Sequence, residues 1–587
     1  MKPIDFAWGS LRSITQKQPT EIKLLVDDIE YPSLETDSLG FVLHLSSPQK
    51  HRDNLFRLHG MYYDNDKKGK SSLWRTFRAS VYHLCLHAVT TDYGIYKSLS
   101  DSSRSMNNLM FAISQAEDYA IKGHMSAKWR GLLLDTAYAN YSSAQRFRDL
   151  SSESDTATRI AANILSYSMT GKPLISAGDK ADRQLRSLHR SLLELESIAQ
   201  EHYSRPSLQK QNPRTPTNSA DLSTAKLLAV QRIVDFLDSQ SCDIAEIPSP
   251  PFADNHGSNH LFESTSEVAT EKMEDFDSVL KNASAEFSLG LSKEEIIESE
   301  RLTETESQTI IGDWEYSLAA MKKMADLHKS LDPKSHFEGF LFPNEDYTEF
   351  SRARSKLIGP IRLVLDRLKM VRFTVDESQG KESGYVDVPM AIQVVASQSE
   401  RNDVFIQEEN ELRSEAWAIV IDSSKSLESF QSEVRDIAVC LSEVAKDLIP
   451  NPNAWACYSF NENMYIVKDF SEIYGNAVKG RIGGLSSGLK TYLPDAIRIA
   501  ATRLQSAVAD VKVMLVVSDG FPLGYEGIDS DLIETISKIN KSGIQLIGMG
   551  IGSSTMKKYF RTNFAVNSPF DLMKNFVRTY IELSSSF

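Results

Sequence analysis

Residues 416–426, Ala-Trp-Ala-Ile-Val-Ile-Asp-Ser-Ser-Lys-Ser, constrain this chain more than any other stretch. An apolar run, Trp417 to Ile421, stops at Asp422, and two hydroxyls follow at Ser424 and Ser426. The run has the length and composition of a buried strand. A strand that delivers an acid and two hydroxyls at its C-terminal end begins a site for a hard cation, which takes oxygen ligands.

The residues around it set the fold class. Apolar segments Trp417–Ile421, Trp455–Phe460, Met464–Val467, Val511–Val517 and Ile544–Ile551 read as strands. Amphipathic segments Leu427–Leu448, Asp495–Ala507, Asp529–Lys541 and Pro569–Leu583 alternate with them as helices. That alternation predicts an α/β, Rossmann-like, doubly wound and mainly parallel sheet over 411–587. Ligands of such sheets lie outside the C-terminal strand ends, where Asp422, Ser424 and Ser426 fall. Thr491, in the loop before a helix, and Asp519, after the most apolar strand, are candidates to complete the constellation.

The pattern Asp-x-Ser-x-Ser resembles the metal-ion-dependent adhesion site of von Willebrand factor A (VWA) domains. The resemblance implies that Ser424, Ser426 and Thr491 bind the cation directly. It implies that Asp422 and Asp519 act through water or hold the ligands in place. Magnesium suits such a shell, because it prefers octahedral oxygen and keeps some of its water. One position stays open, and a cation with mostly neutral ligands can take a carboxylate from another protein there. No nucleophile–base pair or acid–base dyad lies in these loops, so the reading is of a binding protein and not an enzyme.

Further segments narrow the resemblance. Tyr458-Ser-Phe460 with Ile466-Val-Lys-Asp-Phe470, the loop Lys490-Thr-Tyr-Leu-Pro-Asp-Ala-Ile-Arg498, and Asp519-Gly-Phe-Pro522 followed by Tyr525-Glu-Gly527 are similar to the VWA proteins that activate nitric oxide reductase. They are also similar to the large subunit of aerobic cobaltochelatase (the NorD/CobT type). Asp313-Trp314 and Gly384 to Ala391 resemble the approach to that core. One departure is Leu427, where the family has threonine, at a position that is not a ligand. The family implies partnership with a hexameric MoxR-type AAA+ ATPase. It also implies a client protein, often a metalloenzyme awaiting metal insertion or a change of conformation. This chain shows no ATP-binding loop of its own, so the motor would be a separate polypeptide. A VWA subunit of a chelatase that inserts cobalt or magnesium into a tetrapyrrole is the alternative within the family.

The remainder reads as three further regions. Residues 1–205 show helical spacing at Leu73–Leu99, Met106–Ile121, Met125–Phe147, Ala157–Tyr167 and Ala181–Ala199 and predict a mainly α-helical domain. Residues 206–310 turn rich in Pro and Ser and then acidic, apart from one helix near Ala220–Gln240, and predict a flexible linker. Residues 311–410 predict helices at Leu318–Leu331 and Glu349–Val371 and a strand at Val404–Ile406 leading into the VWA core.

Two features of the first region could carry chemistry. Gly69-Lys70-Ser71 ends like a phosphate-binding loop, but Asp64 stands where the leading glycine would fall, and no buried strand is expected before it. His83 and His87, one helical turn apart, resemble the pair in zinc peptidases, with Glu117 or Asp118 as a third ligand. Leu84 replaces the glutamate general base, so two buried or half-buried histidines without a metal are the first expectation, a bound zinc without hydrolysis the second, and a zinc hydrolase-like N-terminal domain the enzymatic alternative.

Composition sets outer bounds. A net charge of −14 argues against nucleic acid as a partner and against an anionic membrane. The four cysteines are far apart, with no C-x-x-C pair, which suits a reducing compartment. No run is apolar enough for a secretion signal or a membrane span, so a cytoplasmic location without membrane insertion is expected.

Overall fold

The computed structural model describes the chain apart from residues 1–2, 28, 37–38, 53–54, 101–104, 152, 177, 205–218, 255–259, 264–277, 279, 283–291, 373–375, 384, 400, 410–413, 567 and 585–587. Of the stretch expected to be a linker, residues 206–218, 255–259, 264–277, 279 and 283–291 lie outside the described residues, as does Gly384. The chain divides into two compact units, Met1–Leu318 and Ala319–Phe587.

The first unit is mainly helical but carries six short strands that the helical reading did not anticipate. These are β1 (Ile22–Asp27), β2 (Ser33–Thr36), β3 (Phe41–Ser46), β4 (Gln49–Arg52), β5 (Leu55–Leu58) and β6 (Met61–Asp64). They form two three-stranded sheets, ordered β1-β3-β2 and β4-β5-β6. β6 precedes the helix Lys67–Thr90, so a strand with Met61 and Tyr63 buried does stand before Gly69-Lys70-Ser71, contrary to expectation. Even so, no phosphate loop results. Asp66 caps the helix by accepting the Gly69 amide, and Gly69 to Ser71 already lie within the helix.

The helix Lys67–Thr90 is buried along most of its length, including Trp74, Phe77, Leu84 and Cys85. It packs beside the helices Met106–Lys128 and Arg130–Ala144, and further helices Thr156–Thr170, Asp179–Ser204 and Ser219–Ser239 complete the bundle. The acidic residues after 292 are helical, in a single helix Lys293–Leu331. Its first half is fixed to the first unit. Thr303 and Ser307 are buried, and Glu306 and Thr303 accept from Arg78 at 2.8 Å each.

The second unit is built on a seven-stranded sheet. Its strands are β7 (Phe340–Leu341), β11 (Glu415–Asp422), β12 (Trp455–Phe460), β13 (Met464–Lys468), β14 (Val511–Ser518), β15 (Gln545–Ile551) and β16 (Thr562–Val566). The order is β16-β15-β14-β11-β12-β13-β7, parallel throughout except for the antiparallel β12–β13 pair. In the sequence between the helix Tyr347–Arg372 and β11, on either side of the helix Val388–Ser397, β8 (Asp376–Lys381), β9 (Tyr385–Val386) and β10 (Phe405–Glu409) form a separate small sheet ordered β8-β10-β9.

β11 is central, and Ala416 to Ile421 are fully buried. That is why its apolar run is continuous and not alternating: helices cover both faces. Gln431–Leu448, Leu493–Gln505 and Ile528–Lys541 supply that cover, with Tyr347–Arg372 and Pro569–Ser584. All four cysteines are free and buried. Among the described residues no helix is long and apolar enough to cross a membrane.

Candidate cation site at the end of the central strands

β11 and β14 run side by side in parallel, with Ile421 opposite Val517. The register brings Asp422 and the Ser518–Asp519 pair out of the sheet at the same edge. Ser518 donates its hydroxyl to Asp422 Oδ2 at 2.6 Å, and the Ser424 amide donates to Oδ1 at 2.9 Å. Asp422 is fully buried and held on both oxygens. Burial pushes its carboxyl up to about 7; the bonds from Ser518 and Ser424 oppose that rise, and the nearby charge of Asp519 adds to it.

Three loops meet here, and backbone bonds join them. Gly488 donates its amide to Ser423 O at 2.8 Å, and Ser424 bridges to Gly488. Thr491 and Leu523 exchange both amide–carbonyl bonds, at 2.9 and 3.2 Å, which ties the threonine loop to the loop after Asp519. Ser424 Oγ and Ser426 Oγ lie 2.9 Å apart, so two neutral oxygens converge on one point. Asp519 is 6% exposed and takes the Phe521 amide on Oδ1 at 3.0 Å, while Thr491 is 3% exposed. All five residues singled out in the sequence are thus carried on adjoining loops.

The donor set fits a hard divalent cation. It offers hydroxyls at Ser424, Ser426 and Thr491 and the buried carboxylates of Asp422 and Asp519. Asp422, locked by Ser518 and the Ser424 amide, is placed to orient ligands and neutralise charge.

Residues that sequence reasoning missed complete the site. Ser518 was passed over because its role depends on the register of β14 against β11. Glu462, in the turn between β12 and β13, accepts the Leu489 amide at 2.5 Å and the Lys490 amide at 3.3 Å, fixing the loop just before Thr491. The sequence shows Asn461-Glu462-Asn463 only as a short polar gap between two apolar segments, with no sign of their reach to the threonine loop. Beyond that loop, buried Asp495 pairs with Arg498, which also binds Asp531 at 2.8 Å and Asp332 at 3.0 Å. His336 stacks on Tyr525 with ring centres 3.8 Å apart.

In the first unit, His83 and His87 are both buried, and their Nε2 atoms approach to 3.0 Å. The acid beside them is Asp118. Glu117, the other candidate, points elsewhere: it binds Lys226 Nζ at 2.8 Å and accepts the Tyr96 hydroxyl at 2.6 Å.

Residues 418–579 match the family model of the von Willebrand factor type A domain. No curated protein sequence matches the chain. Among solved structures, the chain is similar to a conserved hypothetical protein, BatB, from Bacteroides thetaiotaomicron. That match has 14% identity, covers 29% of this chain and 99% of that one, and has a TM-score of 0.22. It is also similar to proximal thread matrix protein 1 from the mussel byssus, whose metal-ion-dependent adhesion site is occupied by zinc. There the identity is 17% over 29% of this chain, with a TM-score of 0.23, and the chain spans 46% of that protein. The C-terminal part of this chain is a VWA domain.

Proposed function

We propose that this protein is a non-catalytic adaptor. Its VWA site binds a divalent cation, magnesium in the first instance, and the cation's open position accepts a carboxylate from a partner. The partner that the sequence resemblance points to is a MoxR-type AAA+ ATPase hexamer, which the adaptor joins to a client protein such as a metalloenzyme needing activation or metal insertion.

The observation that carries this reading is the junction of three loops at Asp422. With the hydroxyls of Ser424, Ser426 and Thr491 as direct ligands and the carboxylates acting through water, as the resemblance implies, a bound cation would keep its affinity for an outside acid. The rim adds support. Leu489, Phe521 and Leu523 belong to the same loops and are each more than half exposed. Apolar side chains around a polar centre are characteristic of protein-docking surfaces.

The test is affinity purification of the tagged chain with a MoxR-type ATPase, with and without EDTA, beside Asp422→Ala. The adaptor reading expects the ATPase to co-purify with magnesium present and to be lost with EDTA or in the folded variant. Equal recovery in all three overturns it.

A further inference from the structure

We propose that His83, His87 and Asp118 hold a second divalent cation, of the zinc class, inside the first unit and independent of the VWA site. The two histidines lie one turn apart on the helix Lys67–Thr90, and Asp118 lies on the helix Met106–Lys128. Asp118 Oδ1 lies 3.5 Å from His83 Nε2 and 3.3 Å from His87 Nε2, and the two Nε2 atoms are 3.0 Å apart. Ligands at ~2.0–2.1 Å from a tetrahedral zinc stand roughly 3.3–3.4 Å from one another. The three donor atoms already form one face of such a polyhedron.

Two further observations point to a cation. First, Asp118 Oδ1 is buried and has no hydrogen-bond partner among the described residues. A buried carboxylate oxygen facing two ring nitrogens is costly unless positive charge, a shared proton or a metal ion, sits between them. Second, the tautomer of His87 is set from behind. Its Nδ1 lies 3.0 Å from Thr91 Oγ1, and the Thr91 hydroxyl donates to Glu117 Oε2 at 3.2 Å. The Thr91 oxygen therefore accepts from His87 Nδ1–H, and Nε2 presents its lone pair. Glu117 is anchored in turn by Lys226. This is a carboxylate–histidine relay through one threonine, of the kind that orients metal-binding imidazoles. Glu117 thus belongs behind the ligand and not among the ligands.

The fourth position faces a cavity of about 30 Å³ beside His83 and Asp118, lined also by Thr136, Asn140 and Phe252. It has room for one or two waters. Leu84 and the salt-bridged Glu117 supply no base to such a water, and Asp254, whose charge also acts on both histidines, adds negative charge that favours a cation; the ion would clamp the two helices together.

The test uses the full chain carrying Asp422→Ala, which removes the VWA site from the count. Zinc is titrated against a chromogenic chelator, and bound metal is measured after dialysis. One zinc per chain is expected, with affinity lowered at least tenfold by His83→Gln and by the near-isosteric Asp118→Asn. Circular dichroism confirms that each variant is folded. Absence of stoichiometric zinc in the Asp422→Ala chain overturns the proposal. So does zinc binding that neither substitution weakens in folded protein.

Discussion

Ser518 closes a 2.6 Å hydrogen bond on Asp422 between strands whose sequences lie 96 residues apart. This bond holds the buried acid in place and opposes the rise that burial imposes on its carboxyl. Ser518→Ala should therefore weaken magnesium binding by about tenfold, in the range seen when groups behind a ligand are removed. Calorimetric titration of the full chain checks this. Unchanged affinity would mean that the Asp422 carboxylate needs no support.

Thr491 offers its hydroxyl to the cation while its backbone ties two loops together. Thr491→Val keeps the amide and carbonyl bonds to Leu523 and removes only the oxygen. The expected result is a loss of magnesium affinity of tenfold or more, with a melting temperature within a few degrees of wild type. A large drop in melting temperature with affinity intact would show that the threonine is structural.

Proton and cation compete at Asp422. Its carboxyl, raised to about 7 in the metal-free fold, is near 3.8 when unfolded. The folded state holds the proton more tightly, so its advantage is complete below about pH 4 and is lost as pH rises through about 7. The strain on the ionised group is on the order of 4 kcal/mol. A bound cation relieves it. Magnesium should raise the melting temperature more at pH 8 than at pH 5.5, and Asp422→Asn should abolish that difference. Equal shifts at both pH values in the wild-type protein would count against it.

Asp469 sits fully buried below the sheet edge with His328 Nε2 at 3.2 Å, Arg503 Nη2 at 2.6 Å and the Tyr458 hydroxyl at 3.0 Å. Burial alone would raise its carboxyl, but the bonds from His328 and Arg503 outweigh that and hold it well below the usual range. A depressed carboxylate stabilises the fold above about pH 4, and its contribution is lost as pH falls. Asp469→Ala should cost about 3 kcal/mol at neutral pH, because it leaves the partly buried Arg503 guanidinium without its partner. Urea unfolding at pH 7 and pH 3 checks both claims: the gap between variant and wild type should narrow at the lower pH.

The core of the second unit was readable because it is buried on both faces. Trp417–Ile421 and Val513–Val517 are uninterrupted apolar runs that few other structures accommodate. The edge strands β7 and β16 were not readable, since two to five residues facing partly outward leave no pattern. In the first unit β4 is Gln-Lys-His-Arg, which nothing in its composition marks as a strand. The five oxygen-bearing residues could be read because most of them sit at the ends of apolar segments. Their support, from Ser518 and Glu462, depends on register and loop reach. Glu117 and Asp118 differ by one position, about 100° around a helix, and the chain alone does not say which side meets the histidines.

The three loops at Asp422 are laced to one another through main-chain atoms, from Ser423 O to Gly488 and from Thr491 to Leu523. Such a bowl keeps its walls whichever side chains line it. Substitutions can therefore retune which ion it favours without redrawing its shape, whereas a single inserted residue in any one loop would shift the other two.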